Sequence, residues 1–589
     1  MSRIISRLLP GLVFGAVILV PVAWILWLGF AGEAPEETMR AWKSTDLQGL
    51  LANSIFLALA TTFVALLFGV PLALLLNLRT FPGRTWIGLL YFLPLVIPPH
   101  IHAIAWTRVI GDRGWLTLWL TDAIGIGFDV RAPLADPAIS DLLGHVYLGP
   151  AWIMGCAFFP LVTMAVSAGI RSLDPEAIRA ARLVAGPRRT IVGVVLPQVA
   201  PRVFAGAAFV FVLALSTYPV VSLLDTPTLI QKIFFTFSRV NQEAGALLSL
   251  PLVAIAGLAV VVLGVAESRA PRRQTGIATP AREAHGVGTS VLAALPLALA
   301  AGVPLVSLLV EAGPISFGGE GMDNYQSVFD RVRDAFSDSL RFTLLGVAAL
   351  LLVSYPLGRV LARHRAPMVE ALGFACLAFP PVVTGVALLL FWSESWSDGI
   401  PGIFFLSVAL VLALLATGLR GSPVKLLWVS IVLFVGLSGL GILLHQLGLR
   451  AAVLAGGPTL LVLAYLARFL PFTVRLFKHG FLALNPDEDH AARLCGHGWL
   501  RRTIAVEVPR MGGVLVGVAV MAYVLCFTEL AATLMVIPEG SQSVQIRVFN
   551  MIHYRAIGEV AALSVLVILL ASLPVVLLAL FGKRRVDIL

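Results

Sequence analysis

The sequence of 589 residues is 59% hydrophobic and only 13% charged, and its mean hydropathy is +0.94. Soluble globular domains are about half apolar and about a quarter charged, so this composition excludes a soluble fold and indicates an integral membrane protein. The formal net charge of +10 would suit a nucleic-acid partner. However, Lys and Arg concentrate in the loops of one predicted side, as the positive-inside rule requires. We therefore expect a lipid bilayer around the chain, no nucleic-acid partner, and both termini in the cytoplasm.

Long apolar runs predict an all-α polytopic membrane protein, because a run of about 20 apolar residues can cross a bilayer as a helix. The first run is longer than the core of a signal peptide, so we expect it to be retained as a helix. About 14 spans are predicted on this basis. In chain order they lie near 9–30, 54–78, 86–109, 143–170, 203–224, 245–266, 289–311, 340–362, 371–392, 402–419, 426–446, 452–474, 511–535 and 557–581.

Four landmarks occur twice in the same order and predict two homologous repeats. They are Pro71 with Pro356, Pro98–Pro99 with Pro380–Pro381, 179–187 with 490–498, and 245–250 with 560–565. The repeats are predicted at 1–266 and 289–589, with a polar cytoplasmic linker at 267–288 and an inserted helix pair near 402–446 in the second repeat. An even number of spans precedes the second copy, so the repeats should run parallel, with a transport path between them.

The third landmark is a short, alanine-rich helix that is predicted to lie in the cytoplasm in each repeat. In "LDPEAIRAARLVAG", Asp174 is the expected N-cap, Pro175 the first helical residue and Gly186 the left-handed residue that ends the helix. In "LNPDEDHAARLCG" the same three positions are taken by Asn485, Pro486 and Gly496. So short a helix is marginal in water unless it packs on something. It could rest on the membrane or on the chain's own spans, but its repetition favours docking into grooves of a partner.

Both segments resemble the EAA loop of ABC importer permeases. The pattern of that loop is Glu-Ala-Ala, three residues, Gly, nine residues, an aliphatic residue, one more residue and Leu-Pro. The second copy keeps this spacing as far as Pro509, whereas the first copy is one residue shorter. Arg179 and His490 stand where the family usually has Glu, which leaves open whether Glu176 or Glu488 takes that role.

The resemblance implies a type I ABC importer permease in a bacterial inner membrane. In that family the EAA loops are coupling helices that bind a cytoplasmic ATPase, and the ATPase is expected to be a homodimer. The expected coupling residues are Glu176, Ala180, Ala181, Arg182 and Gly186 in the first copy and Glu488, Ala491, Ala492, Arg493 and Gly496 in the second. The duplicated layout and the segment 529–550 resemble fused permeases of ferric-iron uptake systems. Ferric iron delivered by a periplasmic binding protein is therefore the expected cargo, with thiamine, phosphonate or polyamine as alternatives.

Several chemistries are missing from the sequence. No stretch has the spacing of a phosphate-binding P-loop, so ATP and Mg are expected to bind the partner ATPase, and this chain itself is expected to hold no cofactor. No catalytic motif is present, which predicts a transport subunit rather than an enzyme. The four cysteines are scattered, which predicts neither a disulfide framework nor a metal site.

Four residues are candidates for the substrate path: Glu529, Tyr218, His100 and His102. A carboxylate in an apolar span is costly. Glu529 therefore either favours a cation in the path or lies at the water interface, paired with a base such as Arg547. The two histidines, at i and i+2, would face apart on a helix, which favours a role at the pore mouth over metal ligation. Tyr218 lies in the corresponding region of the first repeat.

Two other classes of membrane protein remain as alternatives. An ion-coupled secondary transporter with parallel repeats would also explain the two halves. It predicts ionisable residues deep in the spans, of which the sequence has few. Arg468 is one, and it is expected to extend towards the interface instead of lining a pore. A membrane scaffold would explain the spans but not the repeated loop. The ABC permease interpretation accounts for both.

Overall fold

The computed structural model describes residues 45–124, 147–238, 241–269, 283–284, 286–313, 320–363, 376–393, 458–552 and 554–581, together with a few positions between 22 and 43. The predicted helix pair near 402–446 and nearly all of the predicted span near 9–30 lie outside these residues. The chain forms two compact units. The N-terminal unit contains Ala34–Arg331 and Val548–Leu570, and the C-terminal unit contains Met1–Glu33, Val332–Arg547 and Ala571–Leu589. The predicted repeat boundaries at 266 and 289 stay a prediction.

The described residues are helical apart from loops and two short strands, which confirms the predicted all-α class. The helices before the predicted linker are α1 (Leu47–Leu78), α2 (Arg84–Leu90), α3 (Leu93–Val96), α4 (Pro99–Ile110), α5 (Trp115–Ile124), α6 (Leu148–Ile170), α7 (Pro175–Thr190), α8 (Leu196–Leu215), α9 (Tyr218–Leu223), α10 (Leu229–Ser238) and α11 (Gln242–Arg269). Between α7 and α8 the segment Ile191–Val195 is π-helical.

The helices after the linker follow a similar order. They are α12 (Val287–Leu297), α13 (Val303–Ala312), α14 (Glu320–Arg363), α15 (Pro381–Ser393), α16 (Thr459–Ala483), α17 (Pro486–Leu494), α18 (Trp499–Arg502), α19 (Val508–Arg510), α20 (Gly512–Thr528), α21 (Thr533–Val536), α22 (Val544–Met551) and α23 (Ile557–Phe581). Two π-helical segments, Ala298–Gly302 and Thr503–Glu507, and the 3₁₀ turn Cys376–Ala378 complete the set.

Within the described residues, eight helices are long and apolar enough to cross a membrane, and two bent helix pairs raise that number to ten. The prediction of about 14 spans is therefore not confirmed. One predicted span, 203–224, ends early, at Leu215. Ser216 and Thr217 cap the end of α8 with hydroxyl bonds of 2.8 and 2.6 Å to the carbonyls of Val212 and Leu213. The predicted span 371–392 is represented by a short apolar helix, Pro381–Leu390.

Within the described residues, several elements recur in the same order in both halves of the chain, including a helix that starts at the second proline of each Pro-Pro pair. One long-range hydrogen bond also recurs. The Ser54 hydroxyl on α1 accepts the amide of Leu229 at 2.9 Å, and the Ser339 hydroxyl on α14 accepts the amide of Val544 at 2.7 Å. Each bond joins the long helix that contains Pro71 or Pro356 to the start of the corresponding short helix, α10 or α22. This agreement supports the predicted repetition.

Helices within each unit pack closely through small residues. In the N-terminal unit, a Cβ atom added to Gly69 on α1 would lie 2.7 Å from Val162 on α6, so only glycine fits there. In the C-terminal unit, α14, α15, α16 and α20 share a core that includes Leu350, Tyr465 and Ala522. Small residues at helix contacts let backbones approach within a membrane, and these contacts set the positions of the loops that follow.

The end of the predicted linker is paired with the chain ahead of it. Arg79–Thr80, directly after α1, forms a two-residue parallel ladder with Glu283–Ala284. The Ser290 hydroxyl adds a bond of 2.8 Å to the carbonyl of Pro82. The sequence predicted only a polar segment here, because two residues per strand leave no alternation to detect.

Candidate functional site

The first alanine-rich helix, α7, has the predicted ends. The Asp174 carboxylate accepts the amide of Glu176 at 3.0 Å, and Pro175 is the first helical residue. Gly186 has φ 74°, a left-handed conformation that favours glycine. The helical path resumes after this kink and continues to Thr190, because Pro187 suits the first turn of a new helical segment.

The second alanine-rich helix, α17, repeats this geometry. The Asn485 side chain accepts the amide of Asp487 at 3.0 Å, and Pro486 begins the helix. Gly496 has φ 75°, and no atom lies within 4 Å of the position its Cβ would take. The chain then turns into α18. Both copies are therefore capped helices that end at a left-handed glycine, as predicted.

Each of these helices carries an exposed leucine at the same place. Leu183 and Leu494 are both 90% exposed and follow the Ala-Ala-Arg sequence of their own copy. Of the alanines, Ala180 and Ala491 are exposed and Ala181 and Ala492 are half-buried. A leucine that is exposed to this degree on a small-residue face offers an apolar contact to a partner.

The acidic residues of the two copies make different contacts. Glu176 pairs with Arg179 of the same helix at 2.6 Å. Glu488 pairs with Arg510 of α19 at 2.7 Å and so connects α17 to the entry of the next long helix. Exposed pairs of this kind contribute little stability, but only the second links two elements. Arg182 is half-buried.

A π-helical turn follows each alanine-rich helix, and the sequence did not predict it. The turns Ile191–Val195 and Thr503–Glu507 lie directly before the pairs that contain Pro197 and Pro509. Proline has no amide hydrogen and clashes with the carbonyl four residues earlier, which disturbs the helical register. We call each of these five-residue turns a joint.

The second joint is held by a buried ion pair. Arg359 Nη2 on α14 lies 2.5 Å from Glu507 Oε1, and the two side chains are 3% and 4% exposed. The Tyr355 hydroxyl donates to Glu507 Oε2 at 3.4 Å, and Arg359 Nη1 donates to the Thr503 hydroxyl at 3.3 Å. The sequence analysis did not single out this pair. A charge next to the apolar start of a span was the available signal.

Glu529 follows the last residue of α20 and is 6% exposed. It forms an ion pair with Arg468 of α16, with 3.0 Å between Nε and Oε2, and its other oxygen accepts the amide of Ala532 at 2.9 Å. Glu529 is therefore paired with a base, as one of the two alternatives expected, but the base is Arg468 instead of Arg547. The expected position of Arg468 near the inner end of its span is wrong, because α16 continues to Ala483 and places Arg468 in the first half of the helix.

The other path candidates are packed inside the N-terminal unit. His102 bonds through Nε2 to the carbonyl of Pro94 at 2.9 Å, across the 94° bend between α3 and α4. His100 is 1% exposed. The Tyr218 ring stacks on Phe234 with 3.8 Å between centroids. Among the described residues there is no group of three or more His, Cys, Asp or Glu that could hold a metal ion. A role of these residues in the substrate path stays a prediction.

Residues 65–273, which include α7, the first joint and α8, match a known family. Its description is "Binding-protein-dependent transport system inner membrane component". This stretch is therefore similar to the membrane components of ABC importers. The resemblance noted in the two loops is thereby supported over the first repeat, at the level of the ABC permease family.

Individual permeases are similar to the chain over between about a quarter and a half of its length. The inner membrane ABC transporter permease protein YdcU of Escherichia coli (strain K12) is 26% identical over 278 residues, which are 43% of this chain and 87% of the relative. The sulfate transport system permease protein CysT of the same strain is 24% identical over 287 residues, 46% of this chain and 97% of the relative. The molybdenum transport system permease protein ModB of that strain is 28% identical over 171 residues, 28% of this chain and 68% of the relative.

These relatives are permease subunits, which carry no ATPase of their own, so the expectation of a transport component rather than an enzyme is confirmed. The matched stretch presents a capped helix with an exposed leucine, followed by a joint that leads into a long apolar helix. The chain repeats the same arrangement outside the matched stretch.

Proposed function

We propose that the chain carries both permease repeats of an ABC importer and moves a small solute from a periplasmic binding protein into the cytoplasm. The observation that carries the proposal is the pair of equivalent leucines, each 90% exposed on a capped helix. One of the helices lies inside the matched permease domain. Two copies within one chain would supply the two docking points that other permeases obtain from two subunits.

The partners follow from the two docking helices. Since α7 and α17 have the same caps, the same alanine pair and the same exposed leucine, two similar clefts would receive them. A cytoplasmic ABC ATPase that forms a homodimer offers two identical clefts. ATP and Mg would bind that ATPase, and closure of its subunits would displace both helices together.

The cargo we propose is a small oxyanion rather than ferric iron. Relatives named for a cargo include permeases for sulfate, molybdenum and 2-aminoethylphosphonate, and molybdenum in water is the oxyanion molybdate. Glu529, expected to favour a cation, is neutralised by Arg468 at 3.0 Å, so the pair presents no net negative charge. Phosphonate is also an oxyanion and fits this class, whereas thiamine and polyamines are cations.

The ion pairs of the C-terminal unit favour an ABC importer over an ion-coupled secondary transporter. Two ion pairs with buried carboxylates, Arg359–Glu507 and Arg468–Glu529, lie in the C-terminal unit. Ion coupling needs an ionisable group that can exchange its proton or bound ion. In each pair here the carboxylate is already held by an arginine, which favours a structural role.

Transport in proteoliposomes tests the proposal. The chain is reconstituted with its ATPase and binding protein, and uptake of radiolabelled sulfate, molybdate and ferric iron is measured with and without ATP. We expect uptake of an oxyanion only when ATP and the ATPase are both present. Uptake without the ATPase would refute the proposal, and uptake of ferric iron alone would refute the cargo assignment while keeping the importer.

A further inference from the structure

The two joints are fastened to their surroundings by different chemistry. The first and last residues of the second joint, Thr503 and Glu507, both bond to Arg359 on α14. Glu507 also accepts a bond from Tyr355, one turn earlier on α14. This joint is therefore held at both ends by a single helix, through one buried ion pair and two partly buried hydrogen bonds.

The first repeat has no charged pair at the matching positions. Matching Pro71 with Pro356 places Leu74 where the second repeat has Arg359. Matching the prolines that follow the joints places Val195 where it has Glu507. Val195 is completely buried and Leu74 is half-buried, so the first repeat keeps an apolar, buried residue in the joint and has no charge at either position.

We propose that Arg359 and Glu507 are positioning residues that lock the second joint to α14. When α17 is displaced, α14 is then displaced with it. This inference rests on the proposed function, in which an ATPase displaces α17. A buried ion pair is directional, and separating its partners leaves an uncompensated charge. Apolar burial has no directional preference. The second coupling helix, α17, is thus connected rigidly to the helix it must move. The first coupling helix, α7, is connected less rigidly.

A double substitution that copies the first repeat tests the lock. Replacing a buried ion pair with apolar residues of similar volume is often neutral or stabilising, so Arg359→Leu with Glu507→Val should insert, bind the ATPase and support ATP hydrolysis. We expect the solute taken up per ATP hydrolysed to fall by about fivefold or more, the lower end of typical coupling strengths. An unchanged ratio would overturn the proposal, because apolar contact alone would then transmit the movement.

A control is available on the same helix. Arg331, near the start of α14, contacts both carboxylate oxygens of Glu559 at 3.0 and 3.1 Å. Arg331→Leu with Glu559→Val removes an ion pair of α14 that does not touch the joint, and the uptake-to-ATP ratio should stay at the wild-type value. A ratio that falls equally in both double variants would also overturn the proposal.

A milder variant covers the case in which the first double variant does not insert. Tyr355→Phe with Thr503→Val removes the two flanking bonds and keeps the ion pair, and a reduced ratio is again expected. An unchanged ratio in this variant would contradict the lock. Failure of the wild-type chain to show any ATP-dependent uptake would refute the proposed function instead, so the two failures are distinguishable.

Discussion

Replacing the exposed leucines should weaken binding of the ATPase without affecting the fold. Leu183 and Leu494 are each 90% exposed, so they contribute almost nothing to the packing of the chain itself. If each leucine is buried on docking, Leu183→Ala or Leu494→Ala should weaken the complex. Alanine is also the better helix former, which leaves the two short helices intact.

The size of the effect follows from the area that docking removes from water. Full burial of a leucine side chain stabilises by about 1.5–3 kcal/mol relative to exposure. Truncation to alanine should therefore cost about 2 kcal/mol per site, or about 30-fold in Kd. The two leucines lie on separate helices, so their effects should add in the double variant to about 4 kcal/mol, several hundredfold in Kd.

Equilibrium binding of the ATPase to the solubilised chain measures these values. Leu118 on α5, which is 52% exposed, provides a matched control, because Leu118→Ala removes the same atoms away from both docking helices. Unchanged binding in the double variant would refute the docking role of these helices. An equal loss in the control variant would show that the assay reports general destabilisation.

Three further predictions concern local geometry. Gly496→Val should abolish uptake and ATPase association while leaving membrane insertion intact, because valine is strained at φ 75°. Gly498→Val is the control, since Gly498 has open space and no positive φ, and it should retain uptake in the same assay. Arg468→Met and Glu529→Gln should each lower the unfolding temperature more than the variant that carries both changes, since a single change leaves a charge unpaired. Equal decreases in the single and double variants would contradict the pairing. Ser339→Ala should destabilise by about 1–3 kcal/mol because it strands a buried amide, as measured by thermal unfolding in detergent.

Features that depend on neighbouring residues were predictable from the sequence. The caps at Asp174 and Asn485 and the left-handed glycines at 186 and 496 are all present. Each is determined within one helical turn by side-chain length and backbone sterics. Most helix positions were predictable for a related reason, since apolar runs long enough to cross a membrane are unambiguous.

Pairings between distant helices could not be predicted in the same way. Arg468 was expected to extend to the interface, and Glu529 to favour a cation or to pair with a base such as Arg547, whereas the two pair with each other at 3.0 Å. The error began with the end of α16, placed near 474 although the helix runs to Ala483. A helix can continue with charged residues beyond the end of its apolar run, so the run does not mark where the helix ends. A misplaced helix end then shifts the inferred membrane depth of every residue in that helix.

The differences between the repeats lie in side-chain chemistry, while the backbone features recur. Both copies keep the cap, the left-handed glycine, the joint and the serine bond to the later short helix. An ion pair at the joint occurs at Arg359 and Glu507, where the first repeat has Leu74 and Val195. Because a buried ion pair and apolar burial can give similar net stability, the exchange leaves the fold unchanged. It does change how rigidly the joint is held, so the two docking helices can share a shape and still transmit force unequally.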